Sequence, residues 1–196
     1  MIRRFLQSSE VIPFLGIALF AAMLSAVAVT GSIREVGKTF PGFIVWDNLI
    51  VVALGRAEWT GIATEVPFRA RVREVDGERV ESRAELLDKV REAPPGAVHR
   101  YRFQSPAGSV TRDVASMVFS SRDYLTTMAV YLLNGLAFLL TGLAVFYLKP
   151  DTRQSHALLA FGATWGLTLI LAVDLFTAGR LQAIYFLVEA LSPAAI

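Results

Sequence analysis

From Val11 to Thr30 no side chain carries a charge. Such a stretch of about 20 residues, at about 1.5 Å of rise each, covers a hydrocarbon core of about 30 Å, and this dictates a membrane helix. Two further apolar stretches, 124–147 and 156–176, have comparable length, with Pro150 and polar residues separating them. A fourth opens near Leu181 and runs to Ile196, which is short of a full crossing. That end predicts a truncated fourth helix in a fragment of a longer protein, with a short or re-entrant helix as the alternative. Hydrophobic residues make up 54% of the 196, and they lie in these blocks while nearly all the charge falls between Ser32 and Asp123. The fold class expected is therefore membrane α-helical, with about four spans and one small α+β domain inserted after the first.

Charge near the helix ends predicts the direction of insertion. Arg3 and Arg4 precede the first span, and Lys149 and Arg153 lie between the second and third, whereas the 177–180 loop carries only Arg180. The expected layout places residues 1–10 in the cytoplasm, the first span at 11–30 and an extracytoplasmic domain at 31–123. The second span follows at 124–147, a cytoplasmic loop at 148–155, the third span at 156–176, an outer loop at 177–180 and the fourth helix at 181–196. Arg3, Arg4 and the Ala26-Val27-Ala28 run also fit a cleavable signal, so anchor and signal both stay open; the apolar stretch exceeds the usual signal core of about 7–15 residues. Either way the following domain lies outside.

A formal net charge of only +2 gives no electrostatic footprint for nucleic acid. The absence of cysteine excludes disulfides and thiolate metal sites. Within 31–123 strand signals come first, at Phe43-Ile44-Val45, Leu49 to Leu54 and Arg69 to Val75. Asp76-Gly77 then supplies a tight hairpin turn into Arg79-Val80. Ser82 and Glu85 form a capping box, Leu86, Leu87 and Val90 give the next helix its apolar stripe, and Pro94-Pro95-Gly96 ends it. Two strands near 97–104 and 110–117 flank a turn at Pro106-Ala107-Gly108.

The run Val72 to Ser82, with Leu86, Leu87, Pro95-Gly96 and the terminal hairpin, resembles the second half of a bacterial PDZ domain. Pro41-Gly42-Phe43-Ile44-Val45 resembles the loop and strand that receive a peptide's terminal carboxylate in such domains, although Glu58 to Pro67 departs from the usual small Ala-Gly-Leu pattern. The resemblance implies a cleft lined by Gly42, Phe43, Ile44, Val45, Arg83, Leu87 and Val90 that accepts an extended peptide as an added strand; filling of a small core by the same apolar residues is the competing expectation. An anchor, a PDZ-like domain and closely spaced helices opening at Ser121-Arg122-Asp123-Tyr124-Leu125 together resemble the membrane input region of some bacterial sensor histidine kinases and related multi-domain signalling proteins. This implies a bacterial inner membrane, a periplasmic domain and a kinase or cyclase effector beyond Ile196.

Catalytic signatures are missing. His99 and His156 fall in different solvents, no H-E-x-x-H, G-x-S-x-G or P-loop occurs, and His99 is expected as a half-buried structural residue beside Ala97, Tyr101 and Phe103. Neither enzyme activity, metal nor cofactor is expected. Asp174 is expected at the membrane interface, reaching headgroups or Arg180. Glu189 is expected near mid-bilayer, facing the helix bundle or an oligomer contact, with Asn134 as its intrachain neighbour. Gly162 and Gly166 have the spacing that lets helices approach closely. The expected function is a signal-receiving membrane module whose outer domain binds a peptide, protein or envelope component and biases the helices. A membrane-anchored scaffold and a transporter or intramembrane enzyme subunit built on Glu189 are the rivals. The partners expected are the lipid bilayer and a peptide or protein ligand, with a homodimer left open.

Overall fold

A computed structural model describes residues 11–150 and 152–191. In chain order its elements are α1 (Val11–Ile33), β1 (Thr39–Phe40), α2 (Thr60–Ala63), β2 (Arg71–Val75), β3 (Glu78–Arg79), α3 (Arg83–Glu92), β4 (Val98–Ser105), β5 (Gly108–Ala115), β6 (Met117–Val118), α4 (Ser121–Thr127), α5 (Ala129–Leu148), α6 (Arg153–Phe176) and α7 (Gln182–Leu191). The described residues up to Ser32 and from Met128 onward form one unit, and Ile33–Thr127 form another.

In the first unit three helices, Ile12–Ile33, Ala129–Leu148 and Arg153–Phe176, are long and apolar enough to cross a membrane. Pro13 is tolerated because it falls in the first turn, where an amide has no intrahelical partner. The core joins Ala21, Leu24 and Ala28 of α1 to Leu139 of α5, Leu167, Ile170 and Leu171 of α6, and Val188 of α7. Glycine decides how closely α5 and α6 approach. A β-carbon on Gly135 would lie 2.7 Å from the Gly166 carbonyl oxygen, and one on Gly162 would lie 2.6 Å from that of Phe138. At both crossings the helices therefore meet backbone to backbone. Thr152 caps α6 by accepting the Ser155 amide at 3.2 Å. α7 is apolar but only ten residues long, and 192–196, the rest of the expected fourth helix, lie outside the described residues.

The stretch expected as one span from 124 is divided at Met128. Residues Ser121–Thr127 form α4 within the inserted domain, where Tyr124 is buried, and the long apolar helix begins at Ala129. The domain is a small α+β unit. Its four-stranded antiparallel sheet has the order β3-β2-β4-β5, and β1 pairs with β6 in a separate two-stranded ribbon, Thr39 opposite Val118. Asp76 and Gly77 take φ of 53° and 84°, the left-handed pair that a two-residue hairpin turn requires. Ser82 accepts the Glu85 amide at 3.2 Å, and Glu85 reaches back to the Glu81 amide at 2.8 Å, so α3 starts on a capping box shifted by one residue. Along β4 His99, Tyr101 and Phe103 are buried while Arg100, Arg102 and Gln104 are exposed, the alternation of a sheet with one covered face.

Regular strands do not form at Phe43-Ile44-Val45 and Leu49 to Leu54. Only single bridges occur there, Val45 with Val51 and Ile50 with Arg71. A tight turn interrupts the pairing: the Leu49 amide bonds the Trp46 carbonyl at 2.8 Å, and Leu49 sits at φ 66° with its side chain fully buried. Burial of a leucine holds a backbone conformation that the residue otherwise avoids.

Candidate functional site

Of the residues expected to line a peptide cleft, Phe43, Val45 and Val90 are buried in one core cluster and Leu87 packs against it. Phe43 stands edge-on to Tyr101 at 5.2 Å and to Phe103 at 5.7 Å. Ile44 is buried as well. Gly42 has φ +78°, and a β-carbon there would meet Thr60 Oγ1 at 1.9 Å, so only glycine fits. Arg83 is buried, with Nη1 3.9 Å from Asp47 Oδ1.

A different polar centre organises the domain where the chain leaves it. Ser120 precedes α4 and forms a reciprocal cap with Asp123: its hydroxyl oxygen accepts the Asp123 amide at 3.1 Å, and its own amide donates to Asp123 Oδ2 at 2.9 Å. Asp123 Oδ1 accepts from Trp59 Nε1 at 2.8 Å and from Arg56 Nη1 at 2.9 Å. Trp59 is fully buried and Asp123 is 4% exposed. Around the indole, Phe40 and Phe119 stand edge-on at 5.0 and 6.1 Å. Phe40 belongs to β1 and Phe119 follows β6, and the ribbon is extended by a Gly37 amide bond to the Phe119 carbonyl at 2.8 Å. The first and last segments of the domain are thereby fastened to each other, to α2 and to the opening turn of α4. Burial opposes ionisation of Asp123, but hydrogen bonds from Ser120, Trp59 and Arg56 outweigh it and hold the carboxyl below its ordinary value of 3.8. The carboxylate is thus a charged, fully bonded joint.

Asp76 makes a second, smaller joint. Its Oδ2 lies 2.7 Å from His99 Nδ1 and its Oδ1 accepts the Arg100 amide at 2.7 Å, which pins the β2–β3 turn to β4. His99 is more buried than half-buried, at 6% exposure. Among the described residues no group of three histidine or acidic side chains converges to hold a metal.

In the helical unit the polar residues part company with expectation. Asn134 and Glu189 are both exposed, and Asn134 Nδ2 donates to the Val130 carbonyl of its own helix at 2.8 Å. The amide satisfies itself locally, and because neighbouring helix positions point about 100° apart, burying Val188 turns Glu189 outward. Asp174, expected to reach headgroups, is instead fully buried: Oδ2 accepts the Leu181 amide at 2.7 Å and fastens the α6–α7 connection. A β-carbon on Gly31 of α1 would lie 3.3 Å from its Oδ1.

The Asp123 joint escapes sequence inspection because its donors stand 64 and 67 residues away. One signal was available: Ser120-Ser121-Arg122-Asp123 is a capping box, which marks a helix start inside the domain rather than in the membrane. Comparison of the chain with models of known protein families and with curated proteins finds no match.

Proposed function

We propose that the chain is a membrane-bound sensory input module: a PDZ-like domain outside a bacterial inner membrane receives a peptide, protein or envelope component and biases the helices that follow. The observation that supports this most is the Asp123 joint, because it attaches the core of the inserted domain to α4, whose last residue, Thr127, is separated from α5 by Met128 alone. A passive tether needs no buried charged joint at that place. Met128 itself is in the right-handed helical region, with φ −97° and ψ −34°. Ligand binding shifts such a system only by favouring one arrangement of the joint over another.

Coupling is testable without knowing the ligand. Leu86 is fully buried in the core, so Leu86→Ala softens the domain. In the full chain in nanodiscs, that substitution is expected to accelerate amide exchange in α4 and in the first turns of α5, and Asp123→Asn is expected to remove the added effect on α5. If α5 exchange ignores Leu86→Ala in the wild-type background, the sensory reading gives way to an anchored scaffold. The orientation has its own check: the cysteine of Glu78→Cys, the only thiol in the chain, should react with an impermeant reagent in intact cells. Labelling only after lysis would reverse the topology.

A further inference from the structure

We propose that β5 is a self-association edge, through which two copies of the chain pair antiparallel with Thr111 at the centre. The two edges of the main sheet are built differently. β3 closes one edge with only two residues, whereas β5 forms the other with eight, covered by Thr60 only at its Ala115 end. β5 contains no proline and keeps an unbroken register with β4 from Ala115 opposite Val98 to Gly108 opposite Ser105. A long, straight edge without proline or bulge is the kind that accepts another strand.

The hydrogen-bond phase identifies the groups that are offered. Just beyond the ladder the Ser116 amide donates to the Ala97 carbonyl at 2.8 Å, so Ser116 and Ala97 point their backbone groups at each other. Antiparallel alternation then turns the amides and carbonyls of Ser109, Thr111, Asp113 and Ala115 away from β4. Two side chains confirm this phase by occupying outward carbonyls: Thr60 Oγ1 donates to that of Ala115 at 2.6 Å, and Arg112 Nη1 donates to that of Thr111 at 3.1 Å. The first covers the end of the strand; the second is a half-buried side chain that an arriving strand would displace. Among the described residues no backbone group meets the outward amides of Ser109, Thr111 and Asp113. All three residues are exposed.

A second copy is the occupant that the side chains fit. Antiparallel pairing about Thr111 sets Ser109, whose hydroxyl donates to Gln104 of its own chain at 3.1 Å, opposite Asp113 of the second copy, and threonine opposite threonine. Val110 then faces Arg112, so neither charge meets its like. A parallel register would place Arg112 beside Arg112 and Asp113 beside Asp113. Asp113 already carries Arg100 at 2.9 Å on the solvent face, so the pairing introduces no unbalanced charge. The contact is isologous and closes at two copies.

Because the chain has no cysteine, single thiols report the register cleanly. Facing Thr111 positions would lie about 5.5 Å apart between α-carbons, inside the disulfide range of about 4.4–6.8 Å. In native membranes under mild oxidation, Thr111→Cys in the full chain is expected to give a disulfide-linked dimer and Ser109→Cys none, while co-expressed Ser109→Cys and Asp113→Cys chains crosslink to each other. Adding Thr111→Pro, which removes only an outward amide and no bond to β4, is expected to abolish that mixed crosslink. A Thr111→Cys chain that stays monomeric overturns self-pairing, even if the edge takes a different strand. Equal crosslinking at Ser109 and Thr111, or persistence of the mixed dimer with Thr111→Pro, also overturns it.

Discussion

Replacing Asp123 by alanine is expected to lower the stability of the inserted domain by about 2–4 kcal/mol, since it leaves the buried Trp59 indole N–H without its acceptor and removes a helix cap. Arg56 and Trp59 both lose their shared acceptor, at present 2.9 and 2.8 Å away, Arg56 keeping Glu58 at 3.0 Å, and α4 loses the half of its reciprocal cap that the Ser120 amide makes to the carboxylate. Asp123→Asn should cost less, because an amide oxygen still accepts from Trp59 while the charge opposite Arg56 is gone. Thermal or denaturant unfolding of the full chain in detergent measures both. A midpoint for Asp123→Ala equal to that of wild type would remove Asp123 as the organising centre.

The same joint predicts an acid dependence with a definite sign. The folded carboxyl is held below 3.8, so its contribution to stability is complete above that value and is lost as pH falls below it through the lowered folded value. Wild type is therefore expected to lose more stability than Asp123→Asn over that acid window. Identical pH profiles for the two would mean that the charge does not stabilise the fold.

The second large effect is expected where α5 and α6 touch. Gly162→Val puts three carbons into a gap in which even one would stand 2.6 Å from the Phe138 carbonyl oxygen and 3.1 Å from the Gly142 α-carbon. Neither neighbour is the end of a flexible side chain, so the helices must move apart. Overpacking of this kind costs about 1–3 kcal/mol, and more when backbone blocks relaxation. Gly16→Val is the matched control: nothing lies within 4 Å of a β-carbon there. Unfolding midpoints in nanodiscs should separate the two variants, with only Gly162→Val falling. Equal midpoints would show that the glycine contacts are not what sets the α5–α6 approach.

The sequence alone determined whatever depends on neighbours within a few residues. A charge-free run of helical length, an Asp-Gly pair between strand signals, Ser82 three residues before Glu85 and the alternation of His99, Tyr101 and Phe103 each constrain backbone or burial locally, and each appears in the fold where its chemistry requires. Tertiary structure alone decided the rest. How deeply Phe43 and Val90 are buried depends on what else the core contains, and Tyr101 and Phe103 join them there. Whether Glu189 points inward depends on which side of α7 meets α6, and burying Val188 leaves Glu189 outside. Asp123 reads in sequence as the polar end of a span and becomes a buried joint only when Arg56 and Trp59 arrive from across the domain. Periodicity and caps record the energetics of a single element, whereas a carboxylate's role is set by donors whose positions only the complete packing fixes.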